Sequence, residues 1–271
     1  AQNFFNFHSY DFVNTLTDLL FRGLINDIRE EQLELPRYRQ SFRKAIHLPY
    51  PVAYGFSPQV YPRPQDWGEH LKITGYWFLD EDFNPPAELV DWLEAGEAPV
   101  YIGFGSMTSR NPEQTTEIVI DSIRKTGKRC ILLSGWAGIG NSDLPDHIYK
   151  IDSIPHHWLF PQMSAIVHHG GAGTTAAALR SGKPSIVVPH FGDQFFWARR
   201  VHTIGAGTKS IPRKQLTAER LAEAIQKASS DSTMQQRAAQ IGVEIKQEDG
   251  VQRAIRFFEE YALQQPIPVS T

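Results

Sequence analysis

The residues between 164 and 194 combine a glycine-rich turn with histidines at a predicted strand-to-helix junction. An apolar run, Ala165–His168, is followed by His169 and by Gly170-Gly171-Ala172-Gly173, and good helix formers begin at Thr174. Glycines let a ligand approach the main chain, and the N–H groups of a first helical turn favour an anion. A ring nitrogen of His169 could donate to a phosphate oxygen. The pattern predicts a phosphate or diphosphate site, and a tight turn with surface histidines is the alternative.

A polar pair, Asp193-Gln194, follows the next predicted strand, Ser185–Pro189. Aspartate offers a charged acceptor, and the glutamine amide offers both a donor and an acceptor. Recognition of neighbouring hydroxyl groups on a sugar needs this combination. The alternative is that Asp193 caps the helix that starts there, because aspartate is favoured at that position.

A third signal is the small-residue loop Gly103-Phe104-Gly105-Ser106, which closes the predicted strand Val100–Phe104. Many loops of α/β proteins have this composition, so the signal is weak by itself. The carboxyl ends of parallel strands meet at one edge of a sheet, where such folds bind ligands. We therefore expect this loop to lie near the glycine-rich turn and the polar pair.

Apolar strands that alternate with helices must position these residues. The predicted strands are Val100–Phe104, Arg129–Ser134, Tyr149–Ile154, Ala165–His168, Ser185–Pro189 and Thr208–Ile211. The predicted helices between and after them are Ala87–Ala95, Pro112–Thr126, Thr174–Ser181, Gln194–Ile204 and Ala218–Ala228. This alternation predicts an α/β fold with a Rossmann-like, doubly wound parallel sheet over residues 98–271. Residues 1–97 are predicted as an amino-terminal extension, first helical and then irregular and rich in proline.

Composition excludes several classes of protein. The 271 residues carry 27 Lys+Arg against 30 Asp+Glu, a net charge of −3, so there is no basic footprint for nucleic acid. The single cysteine, Cys130, excludes an internal disulfide framework and a cysteine-rich zinc site. No apolar run reaches the roughly 18 residues of a membrane span. We expect a soluble, cytoplasmic protein.

Three further motifs are less convincing in their context. Residues Gly171–Ala176 fit a dinucleotide fingerprint with Asp193 at the distance of a ribose-binding acid, so an NAD(P)-dependent oxidoreductase is an alternative function. That fingerprint normally follows the first strand of its unit, whereas here two or three predicted strands come before it. Asp80-Glu81-Asp82 matches the DxD motif of metal-binding sites. It lies in a connector flanked by prolines, however, and is predicted to be a solvated turn. The pairs His156-His157 and His168-His169 lack the spacing of a helical zinc site, and no metal site is predicted.

Taken together, these segments resemble the donor-binding signature of GT-B glycosyltransferases of the UDP-glucosyltransferase superfamily, and within it the sterol 3-beta-glucosyltransferases. The segments that carry the resemblance are Ile73–Leu79, Tyr101–Ser106, His157–Pro161, His168–Thr175 and Phe191–Ala198. The resemblance implies one half of a GT-B fold, with UDP-glucose as donor and a sterol or similar lipid alcohol as acceptor. Such enzymes invert the anomeric centre and need no metal or other cofactor.

The resemblance also implies roles for individual residues. The donor-binding set comprises Gly105, Ser106, Ile154, His169, Gly171, Ala172, Gly173, Thr174, Asp193 and Gln194. Within it, His169 and the main chain of Gly171 to Thr174 would hold the diphosphate, and Asp193 and Gln194 the glucose hydroxyls. Gly105 and Ser106 would line the cleft. The main chain of Ser153-Ile154-Pro155 would meet the uracil, and Trp158 would either contact the base or pack beneath it.

The predicted elements account for one half of a GT-B enzyme only. The other half should supply the acceptor pocket and the histidine that deprotonates the acceptor, and His8 and His47 are poor candidates for this base. We expect the chain to be a carboxyl-terminal donor-binding half, natural or truncated, with no catalytic residue of its own. A noncatalytic nucleotide-sugar-binding module remains an alternative. A lipid acceptor suggests peripheral membrane contact, and the apolar stretch from Phe4 to Leu35 suggests self-association.

Overall fold

The computed structural model describes residues 2–38, 51–105, 112–134 and 144–264. The chain divides into two compact units, one formed by Ala1–Val52 with Gly68–Lys72 and the other by Ala53–Trp67 with Ile73–Thr271. Two short strands, β1 (Val52–Tyr54) and β2 (Leu71–Ile73), pair as a two-stranded sheet. The second unit holds every described residue of the predicted site.

The first unit consists mainly of α1, Gln2–Glu31, a helix of 30 residues. After the helix the chain turns back, and Asn26 Oδ1 accepts a hydrogen bond from the Tyr38 main-chain N–H at 2.8 Å. Arg37 forms ion pairs with Asp27 and Glu30. Much of the apolar surface of α1 is exposed, at Phe12, Val13, Leu16, Leu19, Leu20, Phe21, Leu24 and Ile28.

The second unit is built on a five-stranded parallel sheet in the described residues. Its strands are β3 (Val100–Gly103), β4 (Cys130–Leu133), β5 (Ile148–Ile151), β6 (Ala165–His168) and β7 (Ser185–Val187). The helices are α2 (Ala87–Glu94), α3 (Pro112–Thr126), α4 (His156–Leu159), α5 (Ala172–Ser181), α6 (Gln194–Thr203), α7 (Ala218–Ser230), α8 (Ser232–Lys246) and α9 (Gly250–Gln264). Short 3₁₀ turns lie at Phe160–Gln162 and Arg213–Gln215.

The strand order is β5-β4-β3-β6-β7, so the chain reverses its winding direction between β5 and β6. It builds outward from β3 through β4 and β5, then returns to place β6 on the free side of β3, with Gly103 opposite His168. The carboxyl ends of β3 and β6 therefore flank a topological switch point. Sheets of this kind bind ligands in the crevice at that position.

Alternate residues of each central strand feed two different hydrophobic cores. On β3, Val100 and Ile102 pack with helices α3 and α7 on one face, whereas Tyr101 packs with α2 and α4 on the other. Both faces are covered, which explains why the strands are apolar throughout. Cys130 of β4 is fully buried, and α2 contributes buried Leu89 ahead of the predicted boundary at residue 98.

Several helix ends follow from local chemistry. The Thr217 hydroxyl accepts a hydrogen bond from the Arg220 N–H and caps α7, and the Asp231 carboxylate caps α8 through the Met234 N–H. Helix α5 ends at Gly182, which has a φ of 75° that favours glycine.

One predicted strand, Thr208–Ile211, is wrong. This segment runs beside β7 and makes main-chain hydrogen bonds to Ser185 and Val187, but only Gly207 forms a bridge, opposite Ser185. Pro212 follows at once, and because it has no N–H it cannot continue a ladder. The predicted strand Tyr149–Ile154 ends earlier, at Ile151, because the chain turns there toward α4.

Candidate functional site

The glycine-rich turn and the loop after β3 meet at the switch point around the ring of His169. A Cβ atom on Gly105 would lie 3.1 Å from His169 Cε1, and a Cβ on Gly171 would overlap His169 Nε2. Gly105 also has a φ of 61°, which side chains other than glycine rarely adopt. The imidazole therefore occupies space that exists only because both neighbours are glycine. Ser106, predicted to share this loop, lies outside the described residues.

The turn itself is fixed by Gly170 and His168. The Gly170 N–H donates to His168 Nδ1 at 3.1 Å, so the neutral His168 ring carries its proton on Nε2. Gly170 has a φ of 90°, and a Cβ there would lie 2.7 Å from Val187 Cγ1 and 3.1 Å from the Gln194 main-chain oxygen. Glycine is thus required both by the backbone conformation and by the close approach of β7 and α6.

Helix α5 starts from this turn without a side-chain cap. Gly171 occupies the capping position and has no side chain that could cap the helix. The Gly171 carbonyl accepts a hydrogen bond from the Thr175 N–H at 2.9 Å. Ala172 and Gly173 in the first turn are exposed, and among the described atoms nothing lies within 4 Å of a Cβ built on Gly173. The N–H groups of this turn therefore have no side-chain cap, and together with the helix dipole they attract an anion.

The histidines around the turn are held neutral. Burial, followed by the nearby His169 and His156, lowers the pKa of His168 to about 3. Burial also lowers the pKa of His169, an effect that the charge of Asp193 partly offsets. A neutral His169 has one N–H donor and one acceptor, and its Nδ1 is buried with no hydrogen-bond partner in the described part of the chain.

Asp193 lies at the start of α6 but does not cap it. Its φ and ψ are −67° and −16°, and its side chain makes no capping hydrogen bond. Instead, Asp193 Oδ2 accepts a hydrogen bond at 3.0 Å from Nε1 of Trp197, one helical turn later. The capping alternative for Asp193 is therefore wrong, and the exposed carboxylate is held beside the sheet edge by an indole.

Gln194 faces the protein interior. Its residue is 4% exposed, and its Oε1 accepts hydrogen bonds from the main-chain N–H groups of His190, at 2.7 Å, and Phe191, at 3.3 Å. The amide oxygen thus shapes the loop that presents Asp193. Direct binding of a sugar by Gln194 stays a prediction, and in this conformation it would have to use the amide nitrogen.

The segment predicted to meet a nucleobase leads from β5 into α4. Ile154 is half-buried, and Pro155 is the residue before the first turn of α4. The Trp158 ring packs against Phe83, with ring centroids 5.5 Å apart. This contact favours the packing role for Trp158 between the two that the sequence left open.

Two neighbours of the site were not identified as functional from the sequence. His190 lies beside Phe104, with ring centroids 6.0 Å apart, and burial and Arg213 lower its pKa. Trp197 holds Asp193 in place. The spacing of four residues could have indicated the contact between Asp193 and Trp197. The contact between His190 and Phe104 depends on the folding of two separate loops.

No metal centre is evident in the part of the chain that the structure describes, since it contains no group of three or more histidine, cysteine, aspartate or glutamate side chains suited to an ion. His8 lies in α1, where its side chain is not described, and His47 is outside the described residues. No helix within the described ranges has both the length and the apolar character of a membrane span.

Comparison with known proteins agrees with this architecture. Residues 118–252 match the family described as "Erythromycin biosynthesis protein CIII-like, C-terminal domain". The calicheamicin glycosyltransferase CalG4 has a similar fold, with a TM-score of 0.64 over 80% of this chain and 53% of that one, at 22% identity. The chain belongs to the GT-B glycosyltransferases and carries one half of their fold.

Similar curated sequences include sterol 3-beta-glucosyltransferases. The enzyme from Arabidopsis thaliana is 42% identical over 254 residues, which cover 92% of this chain and 40% of the relative. The enzyme from Kluyveromyces lactis is 41% identical over 247 residues, covering 86% of this chain and 20% of the relative. The chain thus spans less than half the length of either relative.

Proposed function

We propose that this chain is the donor-binding half of a glycosyltransferase that moves glucose from UDP-glucose to the hydroxyl of a sterol or similar lipid, with inversion. The observation that carries the proposal is the uncapped first turn of α5, which opens at the switch point beside His169. A diphosphate fits this position because it is anionic and can accept hydrogen bonds from several N–H groups at once.

The proposed chemistry assigns a task to each part of the site. The N–H groups of Gly171 to Thr174 and the α5 dipole stabilise the charge that develops on the departing diphosphate, and His169 adds one donor. Asp193 holds a glucose hydroxyl, on a loop shaped by Gln194. The acceptor oxygen attacks the anomeric carbon from the face opposite the diphosphate. We expect the base that takes its proton in an acceptor-binding half, outside the donor-binding fold.

Calorimetric titration of the chain with UDP, UDP-glucose and NAD tests the donor assignment. We expect UDP and UDP-glucose to bind and NAD to bind at least tenfold more weakly, because the site offers a sugar-binding carboxylate where NAD has its second nucleoside. Tight binding of NAD with no response to UDP would instead favour an oxidoreductase that uses the fingerprint Gly171–Ala176. Sequence similarity to glucosyltransferases supports the first outcome.

Transfer itself is tested with UDP-glucose and a sterol in detergent, by following the steryl glucoside. The isolated chain should bind donor but transfer very slowly, because loss of general-base assistance alone removes ~10²–10⁴-fold. Addition of the acceptor-binding half in trans should restore much of the rate. A rate of about one turnover per second from the chain alone would place the base within it. A full-length protein that binds donor without transfer would indicate a noncatalytic module.

We further propose that the reaction needs no metal or other cofactor, because main-chain N–H groups take the role of a cation at the diphosphate. Donor binding and transfer should then be unaffected by EDTA. Loss of UDP affinity in EDTA, with recovery on addition of Mg²⁺ or Mn²⁺, would overturn this part of the proposal.

The lipid acceptor leads us to propose a cytoplasmic protein that contacts membranes at their surface and self-associates through the exposed apolar face of α1. Sedimentation with sterol-containing vesicles tests the membrane contact, and fractionation of cells tests the location. Sedimentation velocity over a range of concentrations tests self-association. Substitution of Leu20 by Gln should reduce self-association, and an invariant monomer would contradict it.

A further inference from the structure

A second cavity lies beside the carboxyl-terminal part of α5, away from the first turn of that helix. Its volume is about 450 Å³, and its walls come from α5, α4, the following 3₁₀ turn, the segment 78–80 and the end of α8. This size is typical of small-molecule sites. Arg180, in its wall, lies about 10 Å along the helix from Gly173 at a rise of ~1.5 Å per residue. Pro155, at the end of the segment predicted to meet the uracil, also lines this cavity, whereas none of the other described residues predicted to bind the donor does.

Most of the wall is apolar and stiff. Phe78, Pro155, Pro161 and Ala177 line it, and the fixed φ angles of the two prolines limit the movement of this part of the wall. Leu79 also lines the cavity and is 83% exposed. An aliphatic ligand would cover this side chain and the adjoining apolar wall.

Arg180 belongs to the wall and is already neutralised. Its guanidinium lies 4.3 Å from the centroid of the Phe78 ring. It donates two hydrogen bonds to Asp80, to Oδ1 at 2.6 Å and to Oδ2 at 2.5 Å, and this pairing lowers the pKa of the Asp80 carboxyl. Asp80, Glu81 and Asp82 are exposed to solvent, as the sequence predicted, and the pairing of Asp80 with Arg180 matches the charge of the guanidinium.

The positive charge of Lys246 at the cavity is not balanced by a neighbouring carboxylate in the described residues. Of the charged side chains that line it, Asp80 and Arg180 cancel, and Lys246 makes no ion pair within the described part of the chain. Lys183 lies nearby, where burial and the charge of Lys246 lower its pKa. Two ammonium groups that repel each other beside an apolar cavity favour a ligand with a negative head and an aliphatic body.

We propose that this cavity binds a long-chain monocarboxylate, with its aliphatic chain against Phe78, Pro155 and Ala177 and its carboxylate at Lys246. Each chemical part of the ligand has a counterpart in the wall. The carboxylate and the aliphatic chain are assigned without reference to a nucleotide sugar, so the proposal does not depend on the proposed transfer reaction.

Calorimetric titration with decanoate, 1-decanol and acetate tests the proposal below the concentrations at which the first two aggregate. Decanoate should bind. Decanol should bind about tenfold more weakly because it has no charge for Lys246, and acetate should not bind measurably because it has no chain. Absence of decanoate binding, or equal binding of decanoate and decanol, would overturn the assignment.

Variants locate the ligand. Lys246→Gln should weaken the binding of decanoate about fivefold and leave that of decanol unchanged. Lys227 is an exposed lysine on α7, and Lys227→Gln is the matched control that should change neither.

Ala177→Leu should weaken the binding of both ligands at least tenfold by filling the cavity, with UDP affinity retained as the sign of an intact fold. If Ala177→Leu does not fold, Leu79→Ser replaces it, since an 83% exposed residue contributes little to stability. If none of these substitutions changes the affinity for decanoate, the ligand binds elsewhere and the proposal is refuted.

Discussion

The turns that follow β6 and β7 end neighbouring strands of one sheet edge, and each leads into a helix, but they are stabilised differently. After β6, glycines create the conformation, and the first turn of α5 has no side-chain cap. After β7, side chains hold the loop, because Gln194 accepts from two main-chain N–H groups and Trp197 donates to Asp193. The first turn can thus present main-chain donors to a ligand, and the second presents one positioned carboxylate.

This difference has a consequence for specificity. Main-chain N–H groups recognise a charge that all nucleoside diphosphates share, so the turn after β6 should not distinguish one sugar from another. A carboxylate in a fixed position can select the arrangement of hydroxyl groups. We therefore assign affinity to the first turn and sugar selection to the second, and four substitutions test that division.

The largest loss of free energy should come from Gly170→Ala, because Gly170 lies where the two turns are in contact. The added Cβ would meet Val187 and the Gln194 main chain and would require a φ of 90° from alanine. We expect the free energy of unfolding in urea to fall by about 3 kcal/mol. Gly173→Ala is the control, because the same methyl group there meets nothing within 4 Å. It should leave stability unchanged or raise it by up to about 1 kcal/mol. Equal losses in both variants would mean that close packing at Gly170 is not what fixes the turn.

Asp193→Ala should follow, with a selective effect. Loss of a charged hydrogen bond to a hydroxyl should weaken UDP-glucose by ~1.5–3 kcal/mol while UDP itself is nearly unchanged. Calorimetry with both ligands measures the difference directly. If UDP and UDP-glucose lose affinity equally, Asp193 does not hold the sugar and the division between the two turns fails.

His169→Ala should weaken UDP and UDP-glucose alike, by about 1 kcal/mol, because both contain the diphosphate. The pH dependence gives a second measure. The pKa of His169 is lowered in the free protein, and a bound diphosphate should raise it. A proton is then taken up on binding, so affinity should increase as the pH falls through the pKa of the complex toward the lower pKa of the free protein. UDP-glucose is the ligand to use, because its diphosphate lacks the terminal phosphate that titrates near pH 6.

The alanine variant should lose this additional dependence on pH. A loss of affinity below about 0.5 kcal/mol with an unchanged pH profile would leave binding to main-chain groups only.

The smallest effect should come from Trp197→Phe, which removes the indole N–H but keeps an aromatic ring between Phe56 and Phe196. We expect UDP-glucose to lose about 0.5 kcal/mol, because Asp193 keeps its charge and loses only one orienting hydrogen bond. UDP should be unaffected. A loss as large as that of Asp193→Ala would show that orientation of the carboxylate matters as much as its presence.

The sequence predicted the elements of the sheet domain well, because their signals are local. The strand Ala165–His168 and the helix Pro112–Thr126 have the predicted limits, since apolar runs and helix-forming residues define them without help from the rest of the fold. The position of β6 next to β3 was expected only as a general property of such sheets. No local pattern specifies the strand order that creates the switch point.

Side-chain directions were the least predictable part of the site. Aspartate before a helix usually caps it, yet Asp193 turns to Trp197, and Gln194 turns inward to the loop. Both outcomes depend on the path of the loop between Val188 and Asp193, which is set by contacts with Gly170 and Arg213. Trp158 was ambiguous for the same reason, since its neighbour Phe83 is distant in sequence.

Cys130 gives this chain a practical property that has nothing to do with catalysis. The sequence contains this one cysteine, which is fully buried in β4, and burial raises the pKa of its thiol, so little reactive thiolate is available. The native chain is therefore a nearly silent background for thiol labelling. A cysteine introduced at Leu79, at the rim of the second cavity, would be modified far faster than Cys130. A fluorophore attached there could report occupancy of that cavity while the donor site is titrated in the same sample.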